Sequence, residues 1–252
     1  MRSTLIAASL MLRRKTASML VEGARFDLLP DGPAGPRRFK IKAADSSSRR
    51  GLIEGLLRDR YAWRGYQSVS LAADQSIDRF TLAAIDGDMP IGTITVCLDV
   101  GRPLGADDAF GDELAHLRRQ GRRLCEFTKL AIDPTTATKR VLASLFHVAY
   151  IVAHRLRGYD TVILEVNPRH VVYYQRMLGC QVIGSERLNR HVKAPAVLLS
   201  VDFAFVREQI GQYGGHPEQS AGVRTLYPFA FSLTEEAGIL SRLQRAREQK
   251  RA

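Results

Sequence analysis

The spacing of hydrophobic and polar positions changes several times between residues 38 and 205, and each change marks an element. In the stretch opening at Arg123, Leu124, Glu126, Thr128, Leu130 and Ile132 alternate with Cys125, Phe127, Lys129 and Ala131, the period of a strand. Asp133-Pro134 stops it, because proline has no N–H to give to a ladder. Upstream, residues 38–43 alternate as a short strand, and Asp45 to Ser48 offer N-caps for a helix reaching Tyr61. Residues 80–85 and 91–98 flank Asp86-Gly87-Asp88-Met89-Pro90 and predict a hairpin. Residues 107–119 predict a partly exposed helix.

Downstream, Val141, Leu145, Val148, Val152 and Leu156 stripe one side of a helix over 138–157, ended by Arg155, Arg157 and Gly158. Residues 161–166 read as a buried strand. Asn167-Pro168 then opens a helix that Leu178-Gly179-Cys180 closes, and strands follow around 182–188 and 196–203. A last helix is expected over 234–247, capped by Thr234 with Glu235 and Glu236 in its first turn. This order predicts a mixed α/β (α+β) domain on one central sheet flanked by helices.

Pro30-Asp31-Gly32-Pro33-Ala34-Gly35-Pro36 is a linker by composition. The expected organisation is a tail and linker over 1–36, a domain over 37–212, and an extension with a basic helix over 213–252. A chain of 252 residues, 45% hydrophobic, is long enough for one well-packed domain plus tails. The formal net charge of +11 implies an anionic partner: nucleic acid, a lipid surface, a phosphorylated cofactor or an acidic protein. No zinc-finger, recognition-helix or RNA-binding motif is present, so no nucleic acid is expected. A non-catalytic basic module for nucleic acid or membrane remains the alternative from another class.

Cys97, Cys125 and Cys180 lie far apart in apolar surroundings, as core residues of a cytoplasmic protein do. No apolar run reaches about 18 residues, so no spanning helix is expected. The apolar run from Thr4 to Leu12 meets Arg13-Arg14-Lys15 instead of a small-residue cleavage site. That predicts a loosely docked tail, with peripheral contact at the inner membrane face as the alternative. His147 and His154 share a helix with no third ligand in view, so no metal is expected.

An acid on a core-directed strand face costs several kcal/mol unless it is paired or its pKa rises. Glu126 is therefore the first candidate for chemistry, against a glutamate satisfied by an arginine. On the next strand Glu165 stands on the face opposite Val162, Leu164 and Val166, and is the second carboxylate, against a structural ion pair.

Residues 127–184 resemble the GNAT superfamily of N-acyltransferases. The likeness rests on the central strand, the long helix, the strand over 162–166, and Asn167 with Tyr173-Tyr174-Gln175-Arg176-Met177-Leu178-Gly179-Cys180. The glycine-rich pyrophosphate loop of that superfamily is replaced by Thr135-Thr136-Ala137-Thr138-Lys139-Arg140-Val141, which disfavours a nucleotide-bearing donor. Asp74-Gln75-Ser76-Ile77-Asp78, Ile91-Gly92-Thr93 and Glu126-Phe127-Thr128-Lys129 follow the order of the acyl-homoserine-lactone synthases, although lysine stands where they have arginine. With Val166-Asn167-Pro168-Arg169-His170 and Tyr174, residues 38–205 resemble the bacterial N-acyl amino acid synthases.

The resemblance implies an enzyme moving a medium or long fatty acyl chain from acyl carrier protein to the α-amine of an amino acid. It implies no tightly bound cofactor beyond the acyl-phosphopantetheine of the donor, with acyl-CoA as the alternative donor. An acyl-homoserine-lactone-type synthase or an acetyl-CoA-dependent acetyltransferase are the alternative activities. Glu126 would take the amine proton, Thr128 orient a water and Tyr174 protonate the leaving thiolate. Backbone N–H groups of a splayed central strand would hold the oxyanion. Lys129 would pair with Asp74 or Asp78. Arg169 and His170 would meet the phosphopantetheine phosphate or the amino acid carboxylate, and Arg60, Trp63 and Tyr66 would wrap the acceptor.

Overall fold

The structure, a computed structural model, describes residues 5–6, 39–62, 71, 78–135 and 138–249. Strands β1 (Leu5–Ile6), β2 (Phe39–Ala43), β3 (Arg79–Asp86), β4 (Met89–Leu98), β5 (Leu124–Ile132), β6 (Thr161–Val166), β7 (Gln181–Asn189) and β8 (Ala194–Asp202) form one sheet. Their order is β1-β2-β3-β4-β5-β6-β8-β7. Every neighbouring pair is antiparallel except β5 and β6, which run parallel.

Helices α1 (Ser47–Ala62), α2 (Asp107–Arg119), α3 (Lys139–Tyr150), α4 (Val171–Leu178), α5 (Phe203–Tyr213) and α6 (Leu233–Gln249) cover the sheet. On one face Phe127, Leu164 and Val201 join residues of α3, α4, α5 and α6 in the main core. On the other, α1 packs Ile53 and Leu57 over Ala83 and Ala131, while α2 packs Phe110 and Leu114 over Leu124 and Ile163. The mixed α/β class expected from the order of elements is the one found, and Cys97, Cys125 and Cys180 are all buried thiols.

Four differences from the expected pattern matter. The alternation along β5 breaks at Lys129, which has φ of 51° and sits where the β4–β5 register shifts. Thr95 opposes Thr128 and Thr93 opposes Ala131, so one extra residue is accommodated as a bulge. Leu130 and Ile132 therefore join the main core, on the face away from Glu126, and Ala131 takes the place expected for them.

Second, the central helix is not buried on one stripe alone: every residue from Val141 to Tyr150 is buried, and Ile151–Leu156 continue it as a π-turn. Third, β8 ends at Asp202, whose carboxylate accepts the N–H of Ala204 at 2.7 Å and so starts α5, a helix the apolar pattern did not announce. Fourth, α6 is capped by Ser232 and not by Thr234. Ser232 Oγ accepts from the Glu235 N–H at 3.3 Å, and the Glu235 carboxylate accepts from the Ser232 N–H at 2.8 Å, a reciprocal capping box.

Candidate active site

The parallel pair β5–β6 holds together only from Leu124 opposite Thr161 to Glu126 opposite Ile163. Beyond that step β5 and β6 part, and the bulge at Lys129 lies on the part of β5 that has left β6 while still pairing with β4. A cleft opens there, with Thr128, Lys129, Glu165, His170, Tyr174 and Asn189 in its wall. A strand that has parted from its neighbour can turn backbone N–H groups toward the opening, which is the arrangement an oxyanion site requires.

Glu126 sits at the closed end of this gap, only 4% exposed. Its carboxylate accepts the N–H of Gly105 at 2.7 Å, in the turn that leads into α2. A side chain at position 105 would press its Cβ to 3.1 Å from the Glu126 carboxylate, so glycine is what permits this close approach. Burial lifts the Glu126 pKa to about 7. The Gly105 N–H pulls against that, the negative charge of Glu165 adds to it, and the Ala106 N–H and Arg79 oppose it.

Glu165 stands on the same face two positions beyond Ile163 and lines the cleft itself. It accepts a hydrogen bond from Asn189 Nδ2 at 2.7 Å, and burial raises its pKa despite that bond. The two carboxylates are thus neighbours, Glu165 facing the opening and Glu126 behind it.

Two cross-strand rows run over this face. Arg79, Cys97 and Glu126 are in register across β3, β4 and β5, and Thr81, Thr95 and Thr128 form the next row. Thr81 and Thr95 share a hydrogen bond of 2.8 Å between their hydroxyls. Thr128 brings the polar row to the cleft wall. Arg79, exposed at the end of its row, is a cation that the strand pattern gave no reason to single out; only the register of three strands brings it into one row with Glu126, across Cys97. Lys129 also reaches this wall, with its pKa lowered first by burial and then by Arg79, while Glu54 and Glu126 act the other way.

His170 and Tyr174 line the cleft from the segment after β6, where Asn167 caps a short turn by accepting the Arg169 N–H at 3.3 Å. Arg169 is exposed on that turn and Arg60 is half-buried in the last turn of α1; both stand outside the cleft wall, which Tyr61 joins instead. Trp63, Tyr66 and Asp74 lie outside the described residues.

Behind the cleft, on the opposite face of β5, is a narrow apolar cavity. Phe127, Phe146 and Leu164 line both spaces and stand between the two. Phe127 stacks on Phe146 with ring centres 6.4 Å apart and leans on Phe203 at 6.1 Å. At the start of α3, Thr138 caps the helix by accepting the Val141 N–H at 3.4 Å. His147 is engaged by both ring nitrogens, Nδ1 with the Phe231 N–H and Nε2 with Glu236, and His154 Nδ1 meets the Tyr159 carbonyl at 2.6 Å. Among the described residues no helix is long and apolar enough to cross a membrane.

A family model for the N-acyl amino acid synthase FeeM matches residues 53–202. Among solved structures the chain is similar to FeeM, an N-acyl amino acid synthase from uncultured soil microbes. The identity is 25% and the TM-score 0.59, over 68% of this chain and 93% of that one. It is also similar to the acyl-homoserine-lactone synthase LasI, at 12% identity, TM-score 0.48, and coverage of 66% of this chain and 90% of that one. An acyl-CoA N-acyltransferase from Pseudomonas aeruginosa matches at 16% identity and TM-score 0.46, over 64% of this chain and 97% of that one. No curated protein matches. The fold is that of FeeM, and the chain, matched over more than half its length, belongs to the N-acyl amino acid synthase family.

Proposed function

We propose that this acyltransferase moves a medium or long fatty acyl group from the phosphopantetheine thiol of acyl carrier protein to the α-amine of an amino acid. The observation that carries this reading is the juxtaposition at β5: a cleft lined by Glu165 with the buried Glu126 behind it on one side of the strand, and an apolar cavity on the other, with Phe127 between them. An amine needs the first and a fatty chain needs the second.

The α-ammonium enters against Glu165 and gives a proton, through water held by Thr128, to Glu126, whose pKa near 7 suits a general base at neutral pH. The free amine attacks the thioester carbon, forming the C–N bond and placing negative charge on the carbonyl oxygen. Backbone N–H groups at the Lys129 bulge receive that charge. The C–S bond then breaks, the Tyr174 hydroxyl supplies a proton to the departing thiolate, and the second proton lost by the attacking nitrogen passes through water back to Tyr174, leaving a neutral amide and a free thiol. Arg79 offers the acceptor's carboxylate a cation beside the row that ends at Glu126.

Two features support a carrier-protein donor. At the helix end that would hold a nucleotide pyrophosphate, Thr138 already occupies one first-turn N–H, that of Val141. Exposed Arg169, Arg190 and Lys193 adjoin cleft residues His170, Asn189 and Val192, a basic rim suited to an acidic partner. Purified protein is to be incubated with acyl carrier thioesters or acyl-CoA and a panel of amino acids, and products read by mass spectrometry. N-acyl amino acids formed faster from the carrier thioester are expected. Turnover of acetyl-CoA alone, with no fatty acyl product, would point to an acetyltransferase instead.

A further inference from the structure

The family match ends at Asp202, yet the apolar cavity does not. Phe203, Val206 and Ile210 of α5 and Leu226, Tyr227 and Ala230 after it supply much of its wall. They close the side of α3 that the stripe pattern left for solvent, which is why that helix is buried all round.

The segment is fixed in place at several points. Tyr227 donates its hydroxyl to the Leu178 carbonyl at 2.7 Å, and the Leu226 N–H donates to the Met177 carbonyl at 3.0 Å. The Phe231 N–H donates to His147 Nδ1 at 3.0 Å, in the cavity wall. The other nitrogen of that ring meets the buried Glu236 carboxylate of α6 at 3.0 Å, and Arg155 donates to the second oxygen of Glu236 at 2.7 Å. A wall tied down at both ends by buried bonds holds its position when a ligand presses on it.

We propose that residues 203–239 are the chain-length gauge of this enzyme, with Leu226 and Ala230 setting how long an acyl chain the cavity accepts. This rests on the proposed function for the reaction itself, but adds a specificity element in a part of the chain beyond the family match. Each methylene that finds apolar wall strengthens binding roughly fourfold, and one that meets a fixed side chain instead costs as much or more. A rigid floor therefore produces a sharp optimum in chain length.

The test uses the full chain and two substitutions with opposite effects on cavity volume. Leu226→Ala deepens the cavity and should move the preferred saturated acyl chain longer by about two carbons; Ala230→Leu fills it and should move the preference shorter by a similar step. Acyl transfer is measured across straight-chain thioesters of graded length. In parallel, the saturated fatty acid that raises Tm most is found for each variant, a reading that needs no turnover. Opposite shifts in either series support the gauge. Folded variants with the parent's length profile in both series overturn it. Graded fatty acid binding without any N-acyl product would leave the gauge standing and remove the proposed reaction.

Discussion

The two faces of β5 differ by one residue and by everything that residue sees. Glu126 points into a face crossed by hydroxyls, a second carboxylate and the N–H of Gly105. Phe127, next in the chain, points into aromatic and aliphatic side chains from α3, α5 and the segment after it. The polar face is built within the family-matched part of the chain, from strand register. Much of the apolar one is walled by residues that come after Asp202. A single strand whose ladder ends partway can thus hold a proton acceptor and a fatty chain within one residue of each other, and the reaction would take place where the strands part.

The contrast breaks most severely if the carboxylate is removed. Glu126→Gln keeps the shape and the Gly105 hydrogen bond but cannot take a proton, and turnover should fall by about 10²–10⁴. The fold should not suffer. Between the carboxylate's ordinary 4.5 and its folded value of about 7 the native state holds a proton that the unfolded chain has lost, so stability declines as pH rises through that window. The amide escapes this loss, and its Tm relative to the parent should improve from acid to neutral pH.

The apolar side is next. Glu236→Ala leaves His147 and Arg155 without their buried partner and should cost roughly 3 kcal/mol, read by denaturant unfolding. Acid should do the same gradually. Burial lowers the His147 pKa, so its folded neutral form contributes stability above the unfolded value of about 6.5, and that contribution is lost as pH falls below it. The Glu236 pKa is also lowered: burial alone would raise it, but the bond and charge of His147 and the charge of Arg155 outweigh that, so its share is lost at still lower pH. Arg79→Ala, a smaller change on the polar side, should raise KM for the amino acid about tenfold with kcat little altered. Thr128→Val should slow turnover by only several-fold, as expected for a group that orients water.

Much of the fold was legible. Alternation located β5, a short apolar run located β6, the turn glycine located the hairpin of β3 and β4, and Asn167-Pro168 located the start of the segment carrying Tyr174. The bulge was not, because nothing in Phe127-Thr128-Lys129-Leu130 marks the extra residue; only pairing with β4 reveals that Leu130 and Ile132 change face. The helix α5 was hidden because Phe203 continues the apolar run of β8, while the stop signal, Asp202, resembles an ordinary strand end. The capping box was present as Ser232-Leu233-Thr234-Glu235, two positions before the expected cap at Thr234. The candidate site was half legible: a lone acid on a core-facing strand singled out Glu126, but which of two acids faces the opening depends on where β5 and β6 part. His147 and Glu236 meet across 89 positions, a distance over which no local pattern extends.

The pH dependence of kcat/KM for N-acylation, measured for the parent and for Glu126→Gln, tests the central claim most directly. Activity of the parent should climb with pH through about 7 as one proton leaves, and the substituted enzyme should lose both the rate and that ascending limb. An unchanged rate with an unchanged profile in Glu126→Gln would contradict the account.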